Sequence, residues 1–453
     1  MIDSHAHLDF RQYDKDRDEV IESGFAHGME TVINIGVDLE TSRRSIELAE
    51  KYEQIFAAVG IHPHDSGNVP KDYIERLKAM TEHPKVVAIG EIGLDYYRDH
   101  SPRDDQRRAF ARQLSLAKEL DLPVVIHIRE AMEDSLKIIR DSEVIRGVLH
   151  SFAGSEHEAK IVVDSGFHIS FAGPITYPKS TRPRIAGSLP LKKILTETDS
   201  PYLTPQAFRG KRNKPEHVRF VIEKLAEIFA PYTFDDVERI TSLNTRHLFN
   251  LPLDMAPKIV YKIRNSLYIN LTNRCSCNCY FCPRNAGNGY VAGHYLLLQK
   301  EPSVTEIISE IDKQADFSEV VFCGLGEPTL RLGELLEIAG KLKAKGHFIR
   351  LNTNGHGGLI NKADLPSKLA GLVDKVSVSL NAPDADTYVG ICKPDRGKEA
   401  YRAILEFIKG CIRVNIQTDI SVVELPDIDI EACREIAKKL GANFRLRRHQ
   451  VNR

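Results

Sequence analysis

The strongest constraint on the fold is a regular alternation of short β-branched runs with amphipathic stretches over the first 250 residues. Runs rich in valine and isoleucine are typical of buried strands, and the stretches between them have helical periodicity. The predicted strands are 1–3, 31–35, 55–59, 86–89, 123–126, 147–149, 167–170 and 193–196, and the clearest helices are 13–28, 40–52, 103–120 and 214–229. Eight strands alternating with helices over this length predict a closed (β/α)8 TIM barrel, with a doubly wound parallel sheet as the alternative.

The alternation stops at residues 251–257, which contain two prolines and no periodicity, and this indicates a short linker at 253–257. Beyond it, strands are predicted at 267–271, 319–323, 348–352, 375–379, 412–418 and 443–447, with helices at 303–315, 332–345, 398–410 and 431–440. Six strands are too few for a complete eight-stranded barrel, so we expect an incomplete, open one. The chain is therefore predicted to be an α/β protein with two domains, 1–252 and 258–453.

The residue types that bind metals divide at the same place. All eight cysteines lie at or after Cys275, and thirteen of the seventeen histidines lie at or before His247. Residues 1–256 hold 34 Lys and Arg against 41 Asp and Glu, or −7, and the remaining 28 against 22 give +6. Two chemically different units are indicated, and the net charge of −1 excludes a globally basic nucleic-acid coat.

No apolar run approaches the ~18–20 residues that span a bilayer, and the beginning of the sequence lacks a signal peptide. We therefore expect a cytoplasmic protein with no membrane partner. In that compartment clustered cysteines serve metals or redox chemistry more often than disulfides.

Histidines and carboxylates recur where the predicted strands of the first half end. Barrel enzymes carry their chemistry at this face. The six residues placed there are His5, His7, Glu91, His127, His150 and Asp199. Imidazole and carboxylate together predict a two-metal site for Zn²⁺, Mn²⁺ or a similar ion, whereas Mg²⁺ prefers oxygen ligands.

Two further groups lie near the same predicted face. His62 and His64 follow the third strand, and they either contact substrate or are loop histidines satisfied within the protein. Four cations follow the last strand within six residues, namely Arg209, Lys211, Arg212 and Lys214. Such a cluster suits phosphate contacts along a nucleic-acid strand, although a solvated basic loop has the same composition.

Several motifs in residues 1–250 resemble the TatD family of metal-dependent deoxyribonucleases. They are Asp3-Ser-His-Ala-His-Leu-Asp9, Gly60-Ile-His-Pro-His64, Gly90-Glu-Ile-Gly-Leu-Asp-Tyr96, Glu197-Thr-Asp-Ser-Pro-Tyr-Leu-Thr-Pro205, Arg209-Gly-Lys-Arg-Asn213 and Asn244-Thr-Arg-His-Leu-Phe249. The resemblance implies an amidohydrolase-like (β/α)8 barrel with two divalent ions (Zn, Mn or Mg) and DNA or another nucleic acid as partner. One ion would be held by His5, His7, Glu91 and Asp199, and Glu91 would bridge to a second held by His127 and His150.

Two metals can activate a water and clamp the attacking and leaving oxygens at phosphorus. We expect Asp199 and Glu91 to be the catalytic carboxylates, with Asp199 orienting the water and taking its proton. The same site could hydrolyse an ester or amide, and aminoacyl-tRNA deacylation is an activity within the family. These alternatives stay open at the level of sequence.

The cysteine-rich segment begins directly after a predicted strand. Cys275, Cys279 and Cys282 form a Cys-x3-Cys-x2-Cys pattern, and three thiolates in one loop can bind three irons of a 4Fe–4S cluster. Structural zinc is the alternative, but it requires four ligands and no second pair at zinc-like spacing follows. Cys277 remains open as a fourth ligand.

This loop resembles the signature of radical S-adenosylmethionine (SAM) enzymes, and three later segments match in order. The residues that carry the resemblance and would contact the cofactor are Gly324, Gly326, Glu327, Asn352, Asn354, Ser379 and Asn381. The resemblance, closest to radical enzymes linked to TatD proteins, implies a partial (β/α)6 barrel. Its cluster would reduce SAM to methionine and a 5′-deoxyadenosyl radical, with electrons from a flavodoxin- or ferredoxin-type donor.

Three functional hypotheses follow. The first is a bifunctional enzyme, a metal-dependent hydrolase or nuclease joined to a radical enzyme acting on an unidentified substrate such as a nucleotide or nucleic acid. The second gives the hydrolase an aminoacyl or other acyl substrate, and the third makes one barrel a recruiting module without turnover. The basic ending, with Arg445, Arg447, Arg448 and Arg453, either meets an anionic substrate or is a solvated tail.

Overall fold

The computed structural model describes residues 1–285 and 288–448. The chain divides into two compact units, Met1–Leu253 and Asp254–Arg453. The linker predicted at 253–257 stays a prediction, and Arg453 lies outside the described residues. No helix within the described ranges is both long and apolar enough to cross a membrane.

The first unit is a barrel of eight parallel strands that neighbour one another in chain order. The strands are β1 (Ile2–Ala6), β2 (Thr31–Ile35), β3 (Ile55–Val59), β4 (Val86–Asp95), β5 (Val124–Arg129), β6 (Gly147–Leu149), β7 (His168–Phe171) and β8 (Ile194–Thr196). A parallel bridge between Ala6 and Ser200, just past β8, returns the sheet to its first strand. The predicted TIM barrel is confirmed.

Helices separate the strands and cover the outside of the barrel. They are α1 (Arg17–Ala26), α2 (Leu39–Lys51), α3 (Tyr73–Met80), α4 (Arg103–Leu120), α5 (Met132–Ser142), α6 (Glu156–Asp164), α7 (Arg182–Gly187), α8 (Val218–Ile228) and α9 (Phe234–Leu248). Local sequence sets several starts, because Asp38, Ser155 and Thr233 each form a capping box with the residue three positions on.

Strand β4 is longer than predicted, and this changes the position of Glu91. Its β-branched run ends at Ile89, yet the strand continues to Asp95 because main-chain pairing with β5 persists through Asp95 and Arg129. A register irregularity between Gly90 and Ile92 marks the change. Glu91 therefore lies within a strand and not after it, and His5 and His127 also lie within β1 and β5.

The second unit is an open seven-stranded sheet in the order β17-β16-β15-β14-β13-β10-β9. Its strands are β9 (Val260–Ile263), β10 (Ser266–Ile269), β13 (Glu319–Phe322), β14 (Ile349–Thr353), β15 (Lys375–Ser379), β16 (Gln417–Glu424) and β17 (Asn443–Arg448), and a separate hairpin comprises β11 (Tyr290–Val291) and β12 (His294–Tyr295). Six strands run parallel, as predicted, and β9 is an antiparallel edge strand that the sequence analysis missed.

The helices of this unit are α10 (Val304–Ile311), α11 (Leu332–Ala344), α12 (Gly357–Asn361), α13 (Leu365–Leu369), α14 (Ala385–Cys392), α15 (Gly397–Arg413) and α16 (Ile430–Leu440). The strand predicted at 412–418 is wrong in its bounds. Helix α15 continues to Arg413 because Phe407, Ile408 and Cys411 extend its buried face. Asn415 then turns the chain with a φ of +59°, and β16 begins at Gln417.

Buried Asn34 of β2 fastens the loop after β1 to helix α2. Its amide donates to Asp9 Oδ1 and Ser45 Oγ, both at 2.8 Å, and its oxygen accepts the main-chain N–H of Leu8. This loop follows directly on His7, so the hydrogen bonds of Asn34 fix the main chain next to the residue that carries the His7 imidazole.

Replacing Asn34 by alanine should destabilise the first unit by about 3 kcal/mol, because buried groups on three partners lose their hydrogen bonds. Hydrogen exchange read by mass spectrometry should show faster exchange in peptides from β1 and β2. Asn68→Ala, at an exposed position, serves as the control. Equal exchange rates in the two variants would contradict the proposed role of Asn34.

Candidate functional site

Four side chains at the end of the barrel face one common point. His5 Nε2 and His7 Nε2 lie 3.2 Å apart, and each lies between 3.3 and 3.6 Å from Glu91 Oε2 and Asp199 Oδ1. Ligands held at ~2.1 Å around a tetrahedral ion are about 3.4 Å from one another. The spacing and chemistry of these donors therefore fit a single divalent ion.

A second group of donors lies on the other oxygen of the Glu91 carboxylate. Glu91 Oε1 is 3.0 Å from His127 Nδ1, 2.9 Å from His150 Nε2 and 3.5 Å from His62 Nε2. The two ring nitrogens of His127 and His150 are themselves 3.1 Å apart. This group fits a second ion, and it adds His62, for which we expected contact with substrate, as a candidate ligand.

Main-chain geometry holds the first group in place. The Asp199 N–H donates to His5 O at 2.9 Å, and the His7 N–H donates to Ser200 O at 2.8 Å. Asp199 has a φ of +54°, in the left-handed region that non-glycine residues seldom adopt. Backbone strain of this kind is concentrated at functional sites, where the surrounding structure maintains it.

Asp95 is a site residue that the sequence analysis missed. Its Oδ2 lies 3.2 Å from His127 Nε2 and 2.9 Å from His64 Nε2, while its Oδ1 accepts the main-chain N–H groups of Tyr97 and Arg98. A carboxylate behind a metal-binding histidine fixes the orientation of the ring. The predicted strand at 86–89 stopped short of both carboxylates, and only the extension of β4 to Asp95 puts Glu91 and Asp95 four residues apart on one strand.

Glu197 is placed in the same way behind His150. It accepts the Ser151 N–H at 2.7 Å and the Ser170 hydroxyl at 2.6 Å, and it lies 3.5 Å from His150 Nδ1. Each histidine of the second group that we predicted as a ligand therefore has a buried carboxylate on its far side.

The groups of this site differ in the direction of their pKa shifts. Burial would lower the pKa of His7, His127 and His150, but hydrogen bonds and the charge of the neighbouring carboxylates outweigh it and raise the pKa, so metal binding displaces protons from these imidazoles. Burial would raise the pKa of Glu91, but the neighbouring His150 and His62 imidazoles outweigh it, so the pKa lies well below its usual range. Burial also holds the pKa of His62 well below its usual range. The carboxylate is thus ionised and the His62 imidazole neutral.

The four cations of the predicted basic loop differ in whether a carboxylate of the protein pairs with them. Arg212 forms a salt bridge with Asp16, and Lys214 Nζ lies 3.8 Å from Glu216. Arg209 stacks over the Tyr177 ring at 5.1 Å, and Lys211 lies 6.0 Å from the Phe208 ring. Neither Arg209 nor Lys211 forms a salt bridge with a described carboxylate, so both are available to an anionic ligand.

In the second unit the cysteine loop follows β10. Cys277 is buried, with its Sγ 3.6 Å from Tyr388 Oη and 3.9 Å from His356 Nδ1, whereas Cys275, Cys279 and Cys282 are only partly buried. None of the four is in a disulfide. Three partly buried thiols beside one that contacts the buried side chains of Tyr388 and His356 fit a cluster with three protein ligands.

Cys392, on helix α14, is a neighbour of this loop that spacing could not reveal. A hydrogen bond with Cys277 lowers the pKa of Cys279, but a second with Cys392 and burial outweigh it and raise the pKa. The Cys279 thiol is therefore protonated in the absence of a metal, and binding of a cluster would release its proton.

The glycine-rich turn after β13 packs directly on the cysteine loop. A Cβ atom at Gly326 would lie 2.3 Å from the carbonyl oxygens of Thr272 and Arg274, and one at Gly324 would lie 2.1 Å from Asn270 Oδ1. Side chains cannot fit at these positions. Both glycines therefore hold the predicted cofactor loop against the cysteine loop.

Glu327 and Asn354 join the next two loops. Buried Glu327 accepts hydrogen bonds from Thr329, the Thr353 hydroxyl and the Asn354 N–H, the last at 2.8 Å. The Asn354 amide donates to Ser276 Oγ at 2.9 Å, inside the cysteine loop. Burial raises the pKa of Glu327.

The remaining predicted contacts lie along the same edge. Asn352 Oδ1 accepts from Arg350 at 3.3 Å, and Ser379 and Asn381 both accept from Arg447. The structure thus gathers every predicted cofactor residue at the carboxyl ends of β13, β14 and β15, around the loop that follows β10.

Comparison with known proteins agrees with both halves. The family model for TatD related DNase matches residues 2–250, and that for the radical SAM superfamily matches residues 269–440. The metal-dependent hydrolase YabD of Bacillus subtilis, itself uncharacterized, is 41% identical over 254 residues, covering 55% of this chain and 99% of its own.

Two further relatives match the same half. The 3′-5′ ssDNA/RNA exonuclease TatD of Salmonella typhimurium is 32% identical over 259 residues, covering 55% of this chain and 99% of its own. The crystal structure of YjjV, a TatD homologue from Escherichia coli, superposes with a TM-score of 0.53 at 33% identity, covering 56% of this chain and 98% of that one.

The first family match spans the closed barrel and the six residues predicted as metal ligands. The second spans the cysteine loop and most of the open sheet, from the end of β10 to α16. The chain belongs to the TatD family of metal-dependent hydrolases and deoxyribonucleases, and carries a radical SAM domain after its TatD barrel.

Proposed function

We propose that the first unit hydrolyses phosphodiester bonds in nucleic acid with two divalent metal ions. The observation that supports this most directly is the position of the Glu91 carboxylate, because each of its two oxygens faces a separate group of imidazoles. A shared carboxylate between two ligand groups is the arrangement expected for a two-metal phosphodiesterase.

The chain's own residues have separate tasks in this reaction. His5, His7, Glu91 and Asp199 would hold one ion, and Glu91, His127 and His150 the other, with His62 beside them. When bound, the two ions activate a water and neutralise charge on the phosphate oxygens. Asp199, at the edge of the first group, orients this water and accepts its proton.

The surroundings of the site favour a nucleic acid over a small ester. Arg209 and Lys211 form no salt bridge with a described carboxylate, and Tyr97 and Tyr202 are exposed large aromatic side chains just beyond β4 and β8. Exposed rings together with such cations suit stacked bases on a charged backbone. The Salmonella typhimurium relative is named as an exonuclease on single-stranded DNA and RNA.

For the second unit we propose reductive cleavage of SAM at a 4Fe–4S cluster held by Cys275, Cys279 and Cys282. A bound cluster with SAM supplies a one-electron reduction that yields a 5′-deoxyadenosyl radical. The surrounding loops position the cofactor through Asn352, Asn354 and the residues that end β15. A flavodoxin- or ferredoxin-type protein would supply the electron, and a nucleotide or nucleic acid is the proposed class of substrate.

Asp199→Asn should lower nuclease activity about 1000-fold, because the amide cannot accept the proton from water. The assay follows labelled single-stranded DNA with Mg²⁺ or Mn²⁺. Asp121→Asn is a matched control, since Asp121 is also left-handed, with a φ of +52°, but is fully exposed. Wild-type activity on charged tRNA with none on DNA would instead favour the acyl substrate, and equal activity in both variants would refute the role of Asp199.

Asp95→Asn should weaken binding of the second metal ion about 10- to 100-fold, because an amide N–H faces His127 where an acceptor is needed. Metal content after dialysis should fall, and excess metal should restore most of the activity. Asp104→Asn, at a site 84% exposed, is the control. A metal titration identical to that of the wild type would rule out this role for Asp95.

Cys275→Ser should lose the cluster, whereas Cys277→Ser should retain it, since a serine at 277 can still hydrogen-bond Tyr388 in the buried pocket. Iron and sulfide analysis of anaerobically reconstituted protein gives the comparison. Cys277→Ser, the variant that should retain its iron, should also form 5′-deoxyadenosine from SAM after reduction with dithionite. Similar iron loss in both variants would place Cys277 among the ligands.

A further inference from the structure

The cysteine loop carries one thiol more than a cluster with three protein ligands uses. Cys277 lies two residues from both Cys275 and Cys279, and its thiol hydrogen-bonds with the thiols of both. It is therefore close enough to the other thiols to compete for an iron. A fourth thiolate would complete the ligands of a 4Fe–4S cluster and leave no iron open. An open iron requires that the protein hold the Cys277 sulfur elsewhere.

A buried hydroxyl contacts this sulfur. Tyr388 Oη, on helix α14, lies 3.6 Å from Cys277 Sγ, a hydrogen-bond distance for sulfur. Tyr388 is 1% exposed and Cys277 is 5% exposed, so water does not compete for this bond. The amide of Asn354 also donates to the sulfur, at 3.7 Å. Groups of the protein thus bind the thiol on their own account.

His356 fixes the direction of the Tyr388 hydroxyl. Its Nε2 lies 3.0 Å from Tyr388 Oη, and its Nδ1 lies 3.1 Å from Ser276 Oγ. The imidazole is buried, and burial lowers the pKa of His356 to about 4. A neutral imidazole has one donor and one acceptor, so it can bond Tyr388 on one side and Ser276 on the other. The hydrogen bonds therefore run from Ser276 through His356 and Tyr388 back to Cys277.

The main chain around the sulfur is fixed as well. Cys277 forms an antiparallel bridge with Pro394, and the N–H of Asn278 donates to Cys392 O at 3.0 Å. These contacts join the cysteine loop to the end of α14 and the residues that follow it. Because α14 also carries Tyr388, the backbone holds the hydroxyl and the sulfur close to each other.

We propose that Tyr388, oriented by His356, holds the Cys277 sulfur away from the cluster and so keeps one iron open for SAM. This inference rests on the proposed cluster in the second unit, and it gives a positioning role to two residues that the proposed reaction does not otherwise use. Without the hydroxyl, the Cys277 thiol would release its proton to solvent and bind the fourth iron as a thiolate. SAM would then have to displace a protein ligand.

The test measures cluster content and SAM binding, without turnover. Tyr388→Phe removes only the hydroxyl, and anaerobically reconstituted protein should keep the iron and sulfide content of the wild type. Equilibrium dialysis should show SAM binding about 10-fold weaker, because losing one buried hydrogen bond shifts the thiol toward iron by about that factor. The change that SAM causes in the EPR spectrum of the reduced cluster should require correspondingly more SAM. His356→Ala should show the same defect.

A second substitution distinguishes positioning from a general effect on the fold. Tyr388→Phe combined with Cys277→Ala should bind SAM as tightly as the wild type, because the competing thiol is gone. Cys277→Ala alone should also match the wild type. Tyr401→Phe is the matched control, since Tyr401 is buried and its ring lies 5.7 Å from that of Tyr388, but its hydroxyl donates to Ala382 O. It should leave SAM binding unchanged.

Four results would overturn the inference. They are wild-type SAM binding by Tyr388→Phe, weak binding that Cys277→Ala does not restore, loss of iron in Tyr388→Phe, and tighter binding by Cys277→Ala alone. The last would show that Cys277 already competes for iron in the wild type. If the wild type itself takes up no cluster or binds no SAM, the proposed function of the second unit is refuted, which is a separate result.

Discussion

The carboxylate of Glu91 is the interaction on which the first unit depends. It is buried, it is ionised, and each of its oxygens is within 3.6 Å of a separate set of imidazoles. A buried anion of this kind requires several compensating groups, and they arrive from β1 and the residue after it, from β5, and from the segments after β3 and β6. The closed barrel is what lets four distant parts of the chain reach one carboxylate. Asp95 and Glu197 extend the same logic outward, because each carboxylate fixes a histidine that faces Glu91.

Both units place a polar residue in the left-handed region soon after a parallel strand ends. Asp199 follows β8 with a φ of +54°, and Asn381 follows β15 with a φ of +55°. Aspartate and asparagine tolerate this conformation better than other non-glycine residues. In each case the turn directs a side chain across the end of the sheet, toward residues from neighbouring strands. The carboxyl edge of a parallel sheet thus becomes a place where a short turn can join two or three loops into one site.

Sequence was sufficient wherever periodicity or motif spacing carries the information. Eight strands with helices predicted the first barrel, and six parallel strands predicted the open second one. The sequence was insufficient wherever strand pairing or helix packing sets the bounds of an element. Pairing with β5 keeps Glu91 inside a strand, and the buried face of α15 overrides the β-branched residues at 412–418. Edge strand β9 is short and only half-buried, so its pattern is weak. The contacts of Cys392 and Arg447 could not be predicted for a related reason, since both residues are remote in sequence from the groups they contact.

Charge compensation links the chemistry of the two halves. Imidazoles bind metal in their neutral form, so two divalent ions beside two carboxylates would leave the first site with excess positive charge, which a phosphate diester can neutralise. The second site has the opposite starting point. The thiols of Cys275, Cys279 and Cys282 would bind a cluster as thiolates, and this adds negative charge to the loop that carries them. Arg284 lies in that loop and donates to the carbonyl oxygens of Asn273 and Cys277, so a cation fixes the main chain of the segment that gains this charge.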